Sequence, residues 1–465
     1  MKPLAWLFRR RIELALFLLG VLLRLSMYWN YHPAWSYDSN LHWEVIQWIA
    51  DNGKAPSAEA TFESFHPPLY YATSAWLLLH GVGRHGMAWF SIICGIVRLG
   101  VIWAGLELYV PGSRLARIMG LALAAVTAAS IHLDGMVYPE ALHGCLCAVA
   151  MLLVPLAFRR SMMARWPLAL AIGVVLGLAI LAKVSSAAVI AAVAAAALLE
   201  TLIIQRTIVV RVCNALPWIF TLAVCLSVCG WYYARNVRVY GQPFITSFDI
   251  PSQSYIAAET DKHPLIDRRP LGFLFGWDPT LYENPYARSG FGNEPRLLAV
   301  AVASNFVDFW RYGFQGYQKP WLLNPDRASL STTQAKVMTA ARAAVYGGTV
   351  IFLATVCAWF AASFRLLRDR DVGRLALLLF PLSTLLATLH FTTKFPFDGI
   401  GVIKSIYMTF GAAPAYGLFG VAASWSQRKR YLWPILASLI VALWLVAAYS
   451  VYCRLGLRLL PVVDP

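Results

Sequence analysis

Eleven stretches of this chain are apolar and nearly free of charge over lengths that match the hydrocarbon core of a bilayer. That core is about 30 Å thick, and a helix crosses it in about 20 residues. In lipid the backbone has no water to bond to, so stretches of this kind are confined to helices. The composition agrees, with 59% of residues hydrophobic and 13% charged. A soluble domain is about 45–50% apolar and roughly a quarter charged, and an excess of this size cannot be hidden in a soluble core whose surface must still be covered. A soluble enzyme, a disordered chain and a nucleic-acid-binding domain are excluded, and no nucleic acid is expected as a partner. The pattern predicts an all-α polytopic membrane protein.

The stretches are 12–29, 87–110, 115–133, 139–158, 167–183, 185–204, 213–233, 344–364, 374–391, 405–424 and 431–452. A twelfth, 67–83, is short, opens with Pro67 and Pro68 and is bounded by Gly81 and Gly83. Loop charge decides its status. If it lies flat, the short basic loops all fall on one side: Arg9–Arg11, Arg114 with Arg117, Arg159 and Arg160 with Arg165, Arg206 with Arg211, Arg365–Arg374, and Arg428–Arg430. Basic residues gather in short cytoplasmic loops, so eleven spans are expected, with 67–83 an interfacial helix. Most of the net charge of +16 is then topology. The basic run at Arg9–Arg11 ahead of an apolar stretch resembles a signal peptide, but no small-residue cleavage site follows, so an uncleaved first span is expected.

Three regions result: 1–233, a transmembrane module with its first outer loop at 30–86; 234–343, an outer-face loop or small cap; and 344–465, the C-terminal helices. A structureless loop as long as the second would be unusual. The eight cysteines lie in or beside apolar segments, where cysteine behaves as a small hydrophobe.

The outer face collects the chemistry. Asp38 follows the first span within Tyr-Asp-Ser-Asn, ahead of an amphipathic helix with Leu41, Val45, Trp48 and Ile49 on one face. Its plainest role is to cap that helix; a catalytic role is the alternative, and the two are compatible. Phe65-His66-Pro67-Pro68-Leu69-Tyr70-Tyr71 holds His66 rigidly at the membrane surface. There Tyr70 and Tyr71 could face sugars or lipid phosphates, or serve as ordinary interfacial aromatics. Pro139 and Glu140 open the next span and place a carboxylate on its first turn, where it also complements the helix dipole.

Glu140 and His143 are three apart and Asp38 and His42 four apart, so each pair shares a helix face. No cofactor is required by this pattern. A divalent cation, magnesium or manganese, stays open, with His42, Asp134 and His143 as candidate ligands and no HExxH or CxxC zinc motif. Arg235 and Arg238, at the exit of the seventh span, suit a phosphate, whose oxygens guanidinium binds bidentately; snorkelling to headgroups is the alternative. Lys404 beside Asp398 adds a cation in the last outer loop. Arg24, Arg98 and Lys183 lie within or at the ends of apolar segments, where charges face a cavity or a partner.

The order of these features resembles the GT-C superfamily of membrane glycosyltransferases, the class that includes protein O-mannosyltransferases and the aminoarabinose transferase of lipid A. The features that carry it are the acid Asp38 after the first span, an interfacial helix, the Pro67-Pro68-Leu69-Tyr70-Tyr71 element, the Pro139-Glu140-Ala141-Leu142 turn and the Arg235-Asn-Val-Arg238-Val-Tyr240-Gly-Gln-Pro243 exit. The similarity covers roughly the first 245 residues well and the last spans loosely.

The resemblance implies a GT-C fold of about eleven transmembrane helices, with interfacial helices in the first outer loop and a small outer-face cap. It also implies transfer of a sugar from a polyprenyl-phosphate donor to an acceptor hydroxyl of a glycan, lipid or protein. Transfer would occur on the outer, periplasmic face of the inner membrane by a monomer among membrane lipids. Asp38 matches the family's first-loop catalytic acid and Glu140 its second. His66 stands where some relatives carry a phosphate-contacting lysine, which implies a pH-dependent contact, and Lys404 with Tyr407 is the nearest match to an Arg-Tyr pair near the last outer loop. A secondary transporter or a lipid-linked-sugar flippase is the rival. It would place its charges near the bilayer midplane in pseudo-symmetric halves, whereas the acids here gather at the outer rim.

Overall fold

The computed structural model describes residues 10–30, 38–204, 207–250, 272–273, 276–277, 279–283, 285, 296–306, 332–395, 405–426 and 432–452. Among them all regular structure is helical. Eight helices are long and apolar enough to cross a membrane, or nine if one bent pair is counted as a single span. The chain is a multi-pass integral membrane protein.

Helix α1 (Arg11–Asn30) leads to two short helices, α2 (Ser39–Asn52) and α3 (Leu69–Leu79), which pack on each other. The 11 residues of α3 rise only about 16 Å, half of a hydrocarbon core. The next long helix, α4 (Arg84–Tyr109), therefore starts at the end of the bundle where α1 finishes. There an Arg84 guanidinium nitrogen donates to Ser39 Oγ at 2.9 Å and Asn40 Oδ1 at 2.7 Å, joining α4 to the start of α2.

The expected span 115–133 is instead two helices, α5 (Arg114–Val126) and α6 (Ala128–Gly135), bent by 48°. Thr127, extended at ψ 113°, breaks the ladder, and its hydroxyl returns to Leu123 O at 2.8 Å. The eight residues of α6 are all buried. What holds them is Asp134, fully enclosed, which accepts from Arg24 Nε of α1 at 2.7 Å and from a guanidinium nitrogen of Arg98 in α4 at 2.8 Å. The approach is so close that a Cβ on Gly95 would lie 2.1 Å from Asp134 Cγ, so no larger residue fits that position. The charges flagged in the sequence as needing partners, Arg24 and Arg98, find the same one.

From Glu140 the chain crosses as α7 (Glu140–Phe158), α8 (Met162–Ala182) and α9 (Ala187–Leu198), the last running into a π-helical turn Leu199–Ile204. Within that turn Glu200 takes both guanidinium nitrogens of Arg165, at 2.8 and 3.0 Å, and the Trp218 indole N–H at 3.2 Å. Helix α10 (Ile208–Tyr240) has 33 residues, overruns the expected span 213–233 at both ends and stops at Gly241, φ 76°. Within the 234–343 region, helix α11 (Leu297–Phe306) and a single turn at Thr280–Glu283 pack on α12 (Thr332–Asp369).

Helix α13 (Val372–Lys394) follows the expectation, but the span at 405–424 does not. It is a turn at Ile406–Thr409 and a separate α14 (Ala413–Ser426) of 14 residues, ahead of α15 (Leu432–Tyr452). Eleven uniform spans are therefore not what the described residues form. Five of the seven described cysteines are buried, Cys213 is partly so, and Cys357 faces outward.

An Asp134→Asn substitution leaves two buried guanidinium groups without a counter-charge. It should lower unfolding free energy by about 3–5 kcal/mol, measured as a large drop in thermal midpoint in detergent. An unchanged midpoint would show that the triad does not hold α6.

Candidate active site

Helix polarity decides what meets at one end of the bundle: the close of α1 and α8, the starts of α2, α3, α4 and α7, and the end of α10. The last of these, α10, ties down the first loop at two points. Tyr232 of α10 donates to Phe65 O at 3.1 Å, and the Ala58 N–H donates to the Tyr240 hydroxyl oxygen at 3.0 Å.

Asp38 stands at the N-cap position of α2, yet its side chain makes no capping bond. The half-buried carboxylate instead accepts from the Tyr138 hydroxyl at 3.2 Å, across 100 residues of chain. Tyr138 sits in the turn that α6 delivers just before Pro139. Burial, followed by the charges of Asp38, Glu140 and Glu63, holds its phenol well above the ordinary tyrosine range, so it stays protonated and donates.

Glu140 opens α7 and forms a buried ion pair with Lys183, which follows the last turn of α8. The Lys183 ammonium lies 5.7 Å from the centre of the Tyr407 ring. Lys183 was suspect as an intramembrane charge, and its partner turns out to be the second acid. Glu140 is thus paired with Lys183 and does not stand beside Asp38 as a second uncompensated carboxylate.

The other expected site residues divide. His42 Nδ1 lies 2.7 Å from the Tyr71 hydroxyl, and the His42 ring meets Tyr138 edge-on at 4.2 Å. His66 Nε2 lies 2.8 Å from Glu63 Oε2. Burial, then the Lys183 cation and the imidazoles of His42 and His143, holds His66 well below the ordinary histidine range. It is thus a neutral ring and does not stand in for a phosphate-binding lysine. Tyr70 and Tyr71 are buried, not turned outward as interfacial platforms: Tyr70 packs parallel to Phe90, and Tyr71 turns to His42 and His66.

His143 stacks on Phe410 at 4.6 Å while Glu140 pairs with Lys183, so their three-residue spacing does not make a donor pair. Asp134 is committed to its two arginines. Arg238 is exposed and Arg235 half-buried on the last two turns of α10, and neither has an ion-pair partner among the described residues. Lys404 lies outside the described residues.

Three chain comparisons bear on this site. No protein-family model matches the chain, and no curated sequence does. Solved structures do. The oligosaccharyltransferase of Archaeoglobus fulgidus, solved with Zn and sulfate, is 14% identical at a TM-score of 0.56 over 95% of this chain and 53% of its own. The same enzyme tethered to an acceptor peptide containing the NVT sequon gives 14% and 0.56 over 98% and 56%. Its complex, as AglB, with an inhibitory peptide and a dolichol-phosphate gives 14% and 0.53 over 97% and 56%. The chain has the GT-C fold.

It spans about half the length of that oligosaccharyltransferase, and at this identity the likeness is one of fold. Within the GT-C bundle, two residues at the Asp38 end carried no separate signal in the sequence. Tyr138 looks like any tyrosine before a proline. Glu63 stands three before His66, a spacing as informative as that of Glu140 and His143, but on no recognisable helix.

Lys183→Met should destabilise by about 3–5 kcal/mol through the stranded Glu140 carboxylate, and Glu140→Leu combined with it should recover most of the loss. A double-mutant cycle of thermal midpoints reads this coupling; additive losses would show that the pair does not interact.

Proposed function

We propose that this protein is a glycosyltransferase that moves a sugar from a polyprenyl-phosphate donor to an acceptor hydroxyl on the extracytoplasmic face of the membrane. The observation that carries the reading is the state of Asp38. It is a carboxylate at a helix start that does not cap the helix, is half-buried, and is oriented by Tyr138 at the end of a GT-C bundle where seven helices begin or finish. A purely structural acid at that position would spend its oxygens on the free N–H groups beside it.

The chemistry follows from the groups present. Breaking a glycosyl phosphate bond builds oxocarbenium character on the sugar and negative charge on the departing phosphate. Asp38 takes the proton of the acceptor hydroxyl as its oxygen attacks the anomeric carbon, with Tyr138 fixing which carboxylate oxygen is open. A single displacement inverts that carbon. Arg235 and Arg238, on the same end of α10 as the Tyr232 and Tyr240 that hold the 58–65 loop, receive the phosphate. Glu140 and Lys183, as a neutral pair beside Tyr407, shape the acceptor side.

Support for the donor class comes from the oligosaccharyltransferase of the same fold, which has been solved with a dolichol-phosphate, itself a polyprenyl phosphate, and with an acceptor peptide. Support for the face comes from charge. Arg114, Arg117, Arg159 and Arg160 lie in the turns at the opposite end of the bundle from Asp38, which the positive-inside rule makes cytoplasmic. The protein is taken to act as a monomer. The rival transporter reading loses its motive, since the membrane-embedded charges Arg24, Arg98 and Asp134 satisfy one another.

In nanodiscs with a panel of polyprenyl-phosphate sugars and envelope extract as acceptor, Asp38→Asn should reduce transfer by about 10²–10⁴-fold. Transfer at the parental rate would overturn the assignment. Arg235→Gln with Arg238→Gln should raise KM for the donor at least about tenfold with a smaller change in kcat, reflecting lost phosphate contacts; an unaltered KM would remove them from the donor site.

A further inference from the structure

His42, Glu63 and His66 bring one donor atom each to within 4.8 Å of one another, in a setting where all three side chains are nearly enclosed. We infer that these three side chains form a zinc site that clamps α2 to the 61–68 turn. The inference is independent of sugar transfer and uses neither Asp38 nor Glu140.

Donor chemistry comes first. Two imidazoles and one carboxylate are a zinc-type set, since imidazole favours zinc and other late metals over magnesium. Magnesium wants an octahedron of oxygens with several waters retained, and two enclosed rings do not offer it. Spacing comes second. Bonds of about 2.0–2.1 Å at tetrahedral angles put donor atoms about 3.3 Å apart. Here Glu63 Oε2 lies 2.8 Å from His66 Nε2 and 3.9 Å from His42 Nδ1, values that bracket it.

Partnering is the third argument. His66 Nδ1 is buried with no hydrogen-bond partner among the described residues, so the protein's own contacts do not satisfy this enclosed ring. The Tyr71 hydroxyl, 2.7 Å from His42 Nδ1, aims that nitrogen's edge of the ring into the cluster, and a zinc ion at Nδ1 would replace this hydrogen bond. The one ammonium nearby, Lys183, is paired with Glu140 and so leaves little net charge to repel a cation.

The consequence is positional. His42 lies one turn after Asp38 on α2, and its backbone N–H bonds Asp38 O at 2.9 Å. A metal bridge from His42 to Glu63 and His66 would fix the turn that carries Asp38 against the segment leading into α3.

The test uses the full chain, purified in detergent without chelator or histidine tag. Elemental analysis after incubation with zinc and desalting should give roughly one zinc per chain, and X-ray absorption should show nitrogen and oxygen neighbours with an imidazole signature. His66→Ala and Glu63→Gln should each cut retained zinc at least about tenfold, and a strong chelator should lower the parental thermal midpoint but not that of the variants. If either variant fails to fold, the absorption spectrum of the parental protein still decides. Less than about a tenth of a zinc per chain, sulfur neighbours from the cysteines, variants that hold zinc like the parent, or magnesium retained with zinc excluded would each overturn the inference. Zinc binding can fail while sugar transfer succeeds, and the reverse, so the two readings are separable.

Discussion

The fold depends on the enclosed carboxylate of Asp134 and the two guanidinium groups that reach it from α1 and α4. An arginine inside a bilayer is expensive unless it is paired. Two of them around one acid fix where three helices meet. The price of enclosing these charges is repaid by position: α6 bends away from α5, stays buried over its whole length and returns the chain at Tyr138 and Glu140. Without that bend a straight helix would carry the 136–140 turn elsewhere, and Tyr138 would not reach Asp38.

The same logic of satisfied charge shapes the site. Lys183 and Glu140 close as a pair at the ends of α8 and α7, and Arg165 with Glu200 does so at the opposite end of the bundle. Charges at the Asp38 end are thereby sorted. Those that are paired build the scaffold. Asp38, which accepts from Tyr138, and Arg235 and Arg238, with no ion-pair partner among the described residues, are the groups the proposed reaction would use. This sorting is what separates a catalytic reading of Asp38 from a capping one.

Much of this was legible beforehand. Apolar length marked the long helices, and the α3 segment, which loop charge had set apart from the spans, is an 11-residue helix. Asp38, Glu140, His42, His66, Tyr71 and Tyr407 were singled out, and the structure brings them to one end of the bundle. Two expected spans contain breaks that the sequence did not mark, because a run of apolar residues looks the same whether or not a helix breaks within it. Thr127 carries no breaker signal, and neither Gly411 nor Pro414 marked the interruption ahead of α14. Tyr70 and Tyr71 were read as outward-facing because aromatic residues near a membrane surface usually are; packing against Phe90 and His42 turned them in.

By itself the sequence determined that the chain lives in a bilayer, which loops are basic, and which acids stand at helix starts. Those follow from local quantities: apolar length, charge count and position relative to proline. Only the tertiary structure decided which charge answers which. Arg24 and Asp134 are 110 residues apart, Lys183 and Glu140 are 43, and Tyr138 and Asp38 are 100. Pairing across such distances depends on helix order and bend in a low-dielectric interior, where an unpaired charge is intolerable and a nearby partner prevails over every local preference.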